Sequence, residues 1–150
     1  FSAMQLKHYI PLDFSLAELL ISLSMLAIIV VAAYPSYTEY SLRNKLSDAT
    51  TTLAKLRLAL ETHHQTERSY LDHAANSCAL KPLSTTYFDF TCVEATDKGF
   101  TLTASSKPYV DLGAGGRYEF TINQDGKRKT LTFAGSMVNA DCWMMSRDGC

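Results

Sequence analysis

The sequence predicts an α+β fold. One long N-terminal α-helix packs on a four-stranded antiparallel β-sheet, and a disulfide-bounded C-terminal region follows the sheet. Three observations lead to this prediction. An apolar run near the N-terminus continues into a stretch with helical periodicity, short strand-like segments follow one another, and two of the four cysteines bracket the end of the chain. With 150 residues, the chain can form one domain with a buried core.

The helix begins with an apolar run, residues 14–34, in which Glu18 is the only charged side chain. A helix needs about 20 apolar residues to cross a bilayer, whereas the apolar region of a signal peptide usually has about 7–15. No cleavage site made of small residues follows, because the sequence continues as YPSY. We therefore expect residues 14–34 to remain in the protein as a transmembrane helix. A helix buried in a soluble core is the alternative.

Helical periodicity beyond Pro35 predicts that the helix continues to about residue 66. Leucine and alanine recur at steps of three and four residues, which places them on one side of the helix. This apolar stripe consists of Leu42, Leu46, Ala49, Leu53, Leu56 and Leu60. We expect the stripe to pack on the protein's own sheet. We also expect a kink at Pro35, because proline removes a backbone hydrogen bond and crowds the preceding turn.

Four segments after Tyr70 have the composition of strands. They are residues 87–93, 99–104, 117–122 and 129–133. The sequence NQDG at residues 123–126 is typical of a hairpin turn between the last two strands. Four strands in succession predict an antiparallel meander, whose apolar face would cover the stripe of the helix.

The four cysteines are Cys78, Cys92, Cys142 and Cys150. They contain no Cys-x-x-Cys pair and no histidine stands at metal-ligand spacing, so they indicate disulfides in an oxidising compartment rather than a zinc site. Three pairings are possible, and short loops favour Cys78–Cys92 with Cys142–Cys150. A membrane anchor followed by such a region places the head outside the cytoplasm.

Glu18 lies within the apolar run, where a carboxylate costs several kcal/mol unless it is neutralised or paired. A proton pathway would need a second intramembrane group, and a carboxyl that stays protonated near the interface would have no role. The third interpretation is pairing with a positive group on another subunit. A free α-amino group on Phe14, created by cleavage after Asp13, would be such a group.

Residues 14–20 (FSLAELL) resemble the start of a mature type IV pilin, and residues 34–40 (YPSYTEY) match the family's segment at the corresponding distance downstream. Later segments resemble a subgroup of minor pilins. They are residues 56–57, 66–70, 87–92, 118–126 and the chain end, with Cys142-Trp143 and Gly149-Cys150. This ending is typical of pilins with a C-terminal disulfide loop, and the resemblance extends from Phe14 to the last residue.

The resemblance implies the type IV pilin fold and a structural subunit, in particular a minor pilin, of a bacterial type IV pilus. A prepilin peptidase would cleave before Phe14 and methylate it, and Glu18 would neutralise the new terminus on a neighbouring pilin subunit. The helix around Pro35 would partly unwind in the filament. Asp13 departs from the family, which has glycine before the cleavage site.

The resemblance also implies a location and three parts of the chain. The subunit would lie in the lipid of the inner membrane of a Gram-negative bacterium with its head in the periplasm, and the inner-membrane assembly machinery would move it into the extracellular pilus. Residues 1–13 would be a leader or residues left from cloning. Residues 14–34 would be the transmembrane and filament-core half of the helix, and residues 35–150 the globular head with the amphipathic half.

Charge argues against nucleic acid as a partner. The chain has 14 basic and 15 acidic residues, so strong electrostatic capture of DNA is not expected. Lys127, Arg128 and Lys129 form a basic hairpin edge, which we interpret as a solvated turn that protects a strand edge. A DNA-binding surface is the alternative. Trp143 is expected to pin the terminal loop to the sheet, with an exposed contact patch as the alternative.

No nucleophile motif, catalytic triad or pair of carboxylates is evident in the sequence, so we predict no enzymatic activity, no cofactor and no metal site. His63 and His64 are adjacent and cannot share one helix face, so we expect them to be solvated or to pack against the following loop rather than to bind a metal. Two other functions stay open: a type II secretion pseudopilin, and a filament-displayed adhesin or DNA-binding pilin. Twitching motility, DNA uptake and cell adhesion are all compatible with these residues.

Overall fold

A computed structural model describes residues 15–150 of the chain. This range contains the helix α1, Leu16–Glu67, followed by eight strands. The strands are β1 (Leu71–Asp72), β2 (Ser77–Cys78), β3 (Leu83–Ser84), β4 (Phe88–Val93), β5 (Thr101–Ser106), β6 (Glu119–Asn123), β7 (Arg128–Phe133) and β8 (Ser136–Ala140). Phe14 and Asp13 lie outside the described residues, as do the predicted cleavage and methylation.

The first of two compact units, Phe1–Glu39, contains the N-terminal half of α1 in its described part. Ser15 caps this helix, because its side-chain oxygen accepts a hydrogen bond from the backbone N–H of Ala17 (3.3 Å). The apolar side chains from Leu16 to Val31 are half-exposed or more. The helix is long and apolar enough to cross a membrane by length and composition, and none of its most apolar window is buried. This exposure is contrary to the alternative of a helix buried in a soluble core.

The second unit, Tyr40–Cys150, contains the amphipathic half of α1 and the strands. The apolar stripe packs into its core as predicted: Leu46, Ala49, Leu53 and Leu60 are fully buried, and the two other members pack against them with partial burial. Each buried leucine stabilises the fold by about 1.5–3 kcal/mol relative to an exposed one. The stripe therefore fixes which side of this half of α1 faces the protein interior.

The main sheet is antiparallel and has six strands in sequential order, β3-β4-β5-β6-β7-β8. Its inner face carries the aromatic core, with Phe88, Phe90 and Phe120 almost fully buried. Inward and outward side chains alternate along β5, as expected for a sheet with one buried face. A separate two-stranded sheet joins β1 and β2.

The four predicted strands are β4 to β7, with boundaries within two residues of those predicted. The predicted count of four is wrong because two edge strands were missed. β3 has two residues, too few for a recognisable pattern. β8 follows a two-residue turn at Ala134-Gly135, where both φ angles are positive (51° and 85°). Such a turn suits a hairpin, but it lacks the Asn or Asp that usually signals one.

Two disulfides complete the fold. One joins Cys78 in β2 to Cys92 in β4, and the other joins Cys142 to Cys150 and closes the C-terminal tail. The tail is bonded to the sheet at Thr130 in β7, which is fully buried. The Thr130 hydroxyl donates to the carbonyl of Cys142 (2.6 Å) and accepts from the N–H of Met144 (2.9 Å). The tail is thereby held against the strand that begins with Arg128.

Candidate functional site

The connection between β6 and β7 forms a compact turn, residues 123–129, which we call the basic turn. The Asn123 side-chain oxygen accepts hydrogen bonds from the N–H groups of Asp125 (3.1 Å) and Lys127 (2.9 Å). The N–H of Gly126 donates to the Asn123 carbonyl (3.0 Å), and Gly126 has a φ of 74°, which favours glycine. These bonds use the backbone groups inside the turn, so its shape is set locally.

Three exposed basic side chains, Lys127, Arg128 and Lys129, follow one another at this turn. Successive side chains on a strand point to opposite faces, so Arg128 and Lys129 lie on different sides of β7. Lys129 pairs with Asp141 at 3.9 Å, but both side chains are more than half exposed. Solvent screens such a pair, which contributes about 0–1 kcal/mol. Lys129 is therefore accessible to an anionic ligand.

Trp143 lies beside the basic turn. Its indole N–H donates to the carbonyl of Thr121 in β6 (3.0 Å), which fixes the ring against the sheet. The guanidinium of Arg128 lies over the ring, 4.7 Å from its centroid. Such a contact contributes about 0.5–1 kcal/mol at an exposed site. Met144, the next residue, is buried, so this part of the tail is pinned to the sheet as expected.

Two open grooves meet at the basic turn. The larger has a volume of about 810 Å³ and lies between α1, the turn and the tail. We call it the tail groove; it is lined by Thr50, Thr51, Ala54, Gly126, Lys127, Arg128, Asp141, Cys142, Trp143, Met145 and Cys150. The smaller has a volume of about 480 Å³ and lies on the outer face of the sheet, where three threonines and Glu94 accompany Lys127 and Lys129. Lys127 lines both grooves, so a long anionic ligand could contact the two together.

Glu18 and Pro35 lie in the N-terminal half of α1. The hydroxyls of Ser22 and Ser24 donate to the carbonyls of Glu18 and Ile21 (2.8 Å each), so these polar groups are satisfied within the helix, as a membrane requires. The helix is continuous through Pro35, and the kink there stays a prediction. The pairing of Glu18 with Phe14 also stays a prediction, since Phe14 lies outside the described residues.

The two adjacent histidines pack against the loop that follows α1. A ring nitrogen of His63 donates to the Ser69 carbonyl (2.9 Å), and His64 stacks on Tyr70 with ring centroids 4.3 Å apart. Within residues 15–150, no cluster of His, Cys, Asp or Glu side chains could hold a metal ion. These contacts give both histidines a packing role.

Residues 35–146 match a protein-family model described as "Type IV minor pilin ComP, DNA uptake sequence receptor". This match covers most of the chain and includes the basic turn and Trp143. Its description names a minor pilin, which was the main expectation, and not a type II secretion pseudopilin. It also names a DNA receptor, which conflicts with the expectation that nucleic acid is an unlikely partner.

Among solved structures, the fold is similar to that of the non-core minor pilin PilV of Neisseria meningitidis. The TM-score is 0.51 and the sequences are 22% identical, over 69% of this chain and 95% of that chain. At this level of identity the similarity concerns the fold: a long N-terminal helix, an antiparallel sheet and a C-terminal disulfide. No curated protein sequence gives a significant match.

Proposed function

The chain belongs to the family of type IV minor pilins described as ComP, DNA uptake sequence receptor, and from this premise we propose that it is the DNA receptor of a pilus. In this proposal the basic turn and Trp143 contact DNA that is to be taken up. The subunit is a non-enzymatic minor pilin, held first by its apolar helix in the membrane and then in the pilus. DNA binding is favoured over adhesion and motility because the family description names it.

The observation that carries the proposal is the group of three consecutive cations at the basic turn, one of which, Arg128, lies over an aromatic ring. Lys127, Arg128 and Lys129 are exposed on a turn of fixed shape, and Arg128 lies over Trp143. Lysine and arginine gain affinity by contacting phosphates and releasing counterions. Arginine and polar side chains can also reach base edges. The turn and the tail groove therefore offer both positioning contacts and contacts that could discriminate sequence.

The expectation that nucleic acid is an unlikely partner was argued from the net charge of the chain, which is not the quantity that decides DNA affinity. A balanced net charge bears on long-range attraction over the whole protein, whereas counterion release depends on the cations that touch phosphates. Three such contacts predict a slope of roughly −3 for log affinity against log salt concentration. We therefore expect modest affinity that depends strongly on salt.

The proposal extends to assembly. Phe14 would be the mature, methylated N-terminus after cleavage by a prepilin peptidase, and Glu18 would pair with it on a neighbouring subunit. The head would lie in the periplasm of a Gram-negative bacterium before assembly, and the helix around Pro35 would adjust in the filament. The exposed apolar side chains of residues 16–31 support this use of the helix, since they need a membrane or other helices to cover them.

DNA binding by the full chain in detergent micelles tests the proposal. The probe is a pool of short fluorescein-labelled duplexes of random sequence, followed by fluorescence anisotropy. We expect Lys127→Ala with Arg128→Ala to weaken binding on the order of tenfold and to reduce the salt slope by about two. A matched control, Lys55→Ala with Lys81→Ala, removes two exposed positive charges elsewhere and should leave affinity nearly unchanged.

Sequencing of the bound duplexes then tests for a preferred uptake sequence. Enrichment of one short motif is expected. Failure of the wild-type chain to bind at low salt, or equal weakening by the two double variants, would overturn the assignment of DNA binding to the basic turn.

A further inference from the structure

Arg57 reaches from α1 to the basic turn. Its Nε donates to the carbonyl of Asn123 (3.3 Å) and its Nη2 donates to the carbonyl of Gln124 (2.9 Å). A Cβ added at Gly126 would lie 3.6 Å from Arg57 Cζ, so the guanidinium also lies close to the glycine of the turn. One planar side chain thus contacts both ends of the segment that immediately precedes Lys127.

The position of Arg57 is itself supported by neighbouring side chains. Its Nη2 lies 3.9 Å from Oε1 of Glu61, one helical turn further along α1. The same Glu61 oxygen accepts a hydrogen bond from the hydroxyl of Tyr70 (3.1 Å), which is buried with its ring edge-on to Phe100.

The basic turn reaches this aromatic cluster by a second route. The side-chain oxygen of Gln124 accepts from the backbone N–H of Phe100 (3.2 Å). Arg57 therefore holds the turn from α1, and Phe100, the residue just before β5, holds it from the sheet. These two attachments fix where β7 begins, and hence where Arg128 lies relative to Trp143.

We propose that Arg57 is a positioning residue for the DNA-binding surface, which it serves by holding the basic turn rather than by contacting DNA. This rests on the proposed function. The guanidinium donates toward the turn carbonyls and its side chain is 34% exposed. Arginine suits this role because its rigid fork presents parallel donors, which the point charge of lysine does not reproduce.

Trp143 provides a direct readout, because it is the single tryptophan of the sequence and Arg128 covers its ring. The measurement is acrylamide quenching of Trp143 fluorescence in the full chain, in detergent micelles without DNA. Arg128→Ala removes the side chain that covers the ring and so gives the reference value for an uncovered Trp143. We expect Arg57→Met and Arg57→Lys both to shift quenching toward that value. Lys55→Met, which removes an exposed charge from the same helix, should leave quenching unchanged.

The DNA affinity of the same variants is measured with the random-sequence duplex pool. Both Arg57 variants should weaken binding ~5-fold with an unchanged salt slope, because no phosphate contact is removed. If Arg57 touched phosphate directly, its removal would instead reduce the salt slope by about one, and lysine would restore binding.

Glu61→Gln, which leaves Arg57 in place but removes its charged neighbour, should shift Trp143 quenching in the same direction as the Arg57 variants, by a smaller amount.

The inference is overturned if Trp143 quenching stays at the wild-type value in both Arg57 variants and in Glu61→Gln. It is also overturned if Arg57→Lys, unlike Arg57→Met, has the quenching and the DNA affinity of the wild type. Absence of DNA binding by the wild-type chain would instead remove the proposed function. In that case the quenching result would still report whether Arg57 sets the position of the turn, so the two failures are distinguishable.

Discussion

Single side chains in the head link segments that are far apart in the sequence. Trp143 bonds to β6 through its indole N–H and supports Arg128 on its face. Arg57 contacts residues 66 and 67 positions away. Tyr70 bonds to Glu61, which in turn lies beside Arg57. Apart from Arg128, each of these side chains is half-buried or buried. They therefore position one another by direct contact rather than by long-range charge.

Tyr70 provides a prediction about pH. Burial raises the pKa of Tyr70 above its ordinary value of 10.0, and the hydrogen bond to Glu61 raises it further. A phenol whose pKa is higher in the folded protein than in the unfolded chain stabilises the fold fully below the unfolded pKa, and this contribution is lost as pH rises through the folded pKa. We therefore expect the free energy of unfolding to fall above about pH 10, and to fall less in Tyr70→Phe.

Denaturant unfolding of the full chain, followed by Trp143 fluorescence, measures this effect. At neutral pH, Tyr70→Phe should cost about 1 kcal/mol for the lost hydrogen bond. Tyr109→Phe is the control, because Tyr109 is 99% exposed. An alkaline decline of the same size in Tyr70→Phe and in the wild type would contradict the role given to this hydroxyl.

At the scale of elements, regular patterns were predictable and contacts between distant elements were not. The apolar stripe of α1 was evident because its leucines follow helical steps, and β4 to β7 because each has alternating or β-branched composition. β8 was missed because its turn, Ala134-Gly135, carries no Asn or Asp. The basic turn and Trp143 were each noted, but their contact depends on how Thr130 holds the tail against β7.

Arg57 was not identified as a functional residue, because its partners are backbone carbonyls of a distant turn. The spacing of charged residues along a helix does not reveal such a contact. The residue type gave no signal either, because Lys45 is also partly buried on the same half of α1. Only the packing of α1 against the sheet shows that the Arg57 guanidinium meets the carbonyls of the basic turn.

The C-terminal disulfide offers a prediction for the tail as an element. The Cys142–Cys150 bond closes a short loop of sequence separation 8, and its removal by Cys142→Ser with Cys150→Ser should cost on the order of 2–3 kcal/mol of unfolding free energy. Because the loop contains Trp143, acrylamide quenching should also increase. Cys78→Ser with Cys92→Ser is the matched control, which should lower stability by a similar amount and leave Trp143 quenching unchanged. Equal quenching in the two double variants would show that sheet contacts alone hold the tail.

At the scale of the whole molecule, the chain combines an apolar helix that needs an outside environment with a head that has its own core. The side chains of residues 16–31 are exposed, whereas those of the stripe beyond Leu42 are buried or, at Leu56, partly buried. This division agrees with a minor pilin that passes from a membrane into a pilus. Glu18, which is proposed for assembly, belongs to the first unit, and the residues proposed for DNA binding belong to the second.

Glu18→Leu tests the assembly proposal. Leucine retains an apolar helix, so membrane insertion should be unaffected, but the partner of the neighbouring N-terminus would be lost. We expect the amount of this subunit in sheared filaments, relative to the membrane fraction, to fall several-fold by quantitative mass spectrometry. Ser24→Ala, on the same helix, should behave like the wild type. Normal incorporation of Glu18→Leu would refute the pairing.

Cross-linking of DNA to the full chain tests the central claim most directly. A duplex that carries a photoreactive base is bound to the chain in detergent micelles, and the cross-linked peptides are identified by mass spectrometry. The account predicts cross-links in the basic turn, residues 123–129, and in the tail at residues 142–145. Cross-links confined to residues 107–116, the loop at the opposite end of β6, would contradict it.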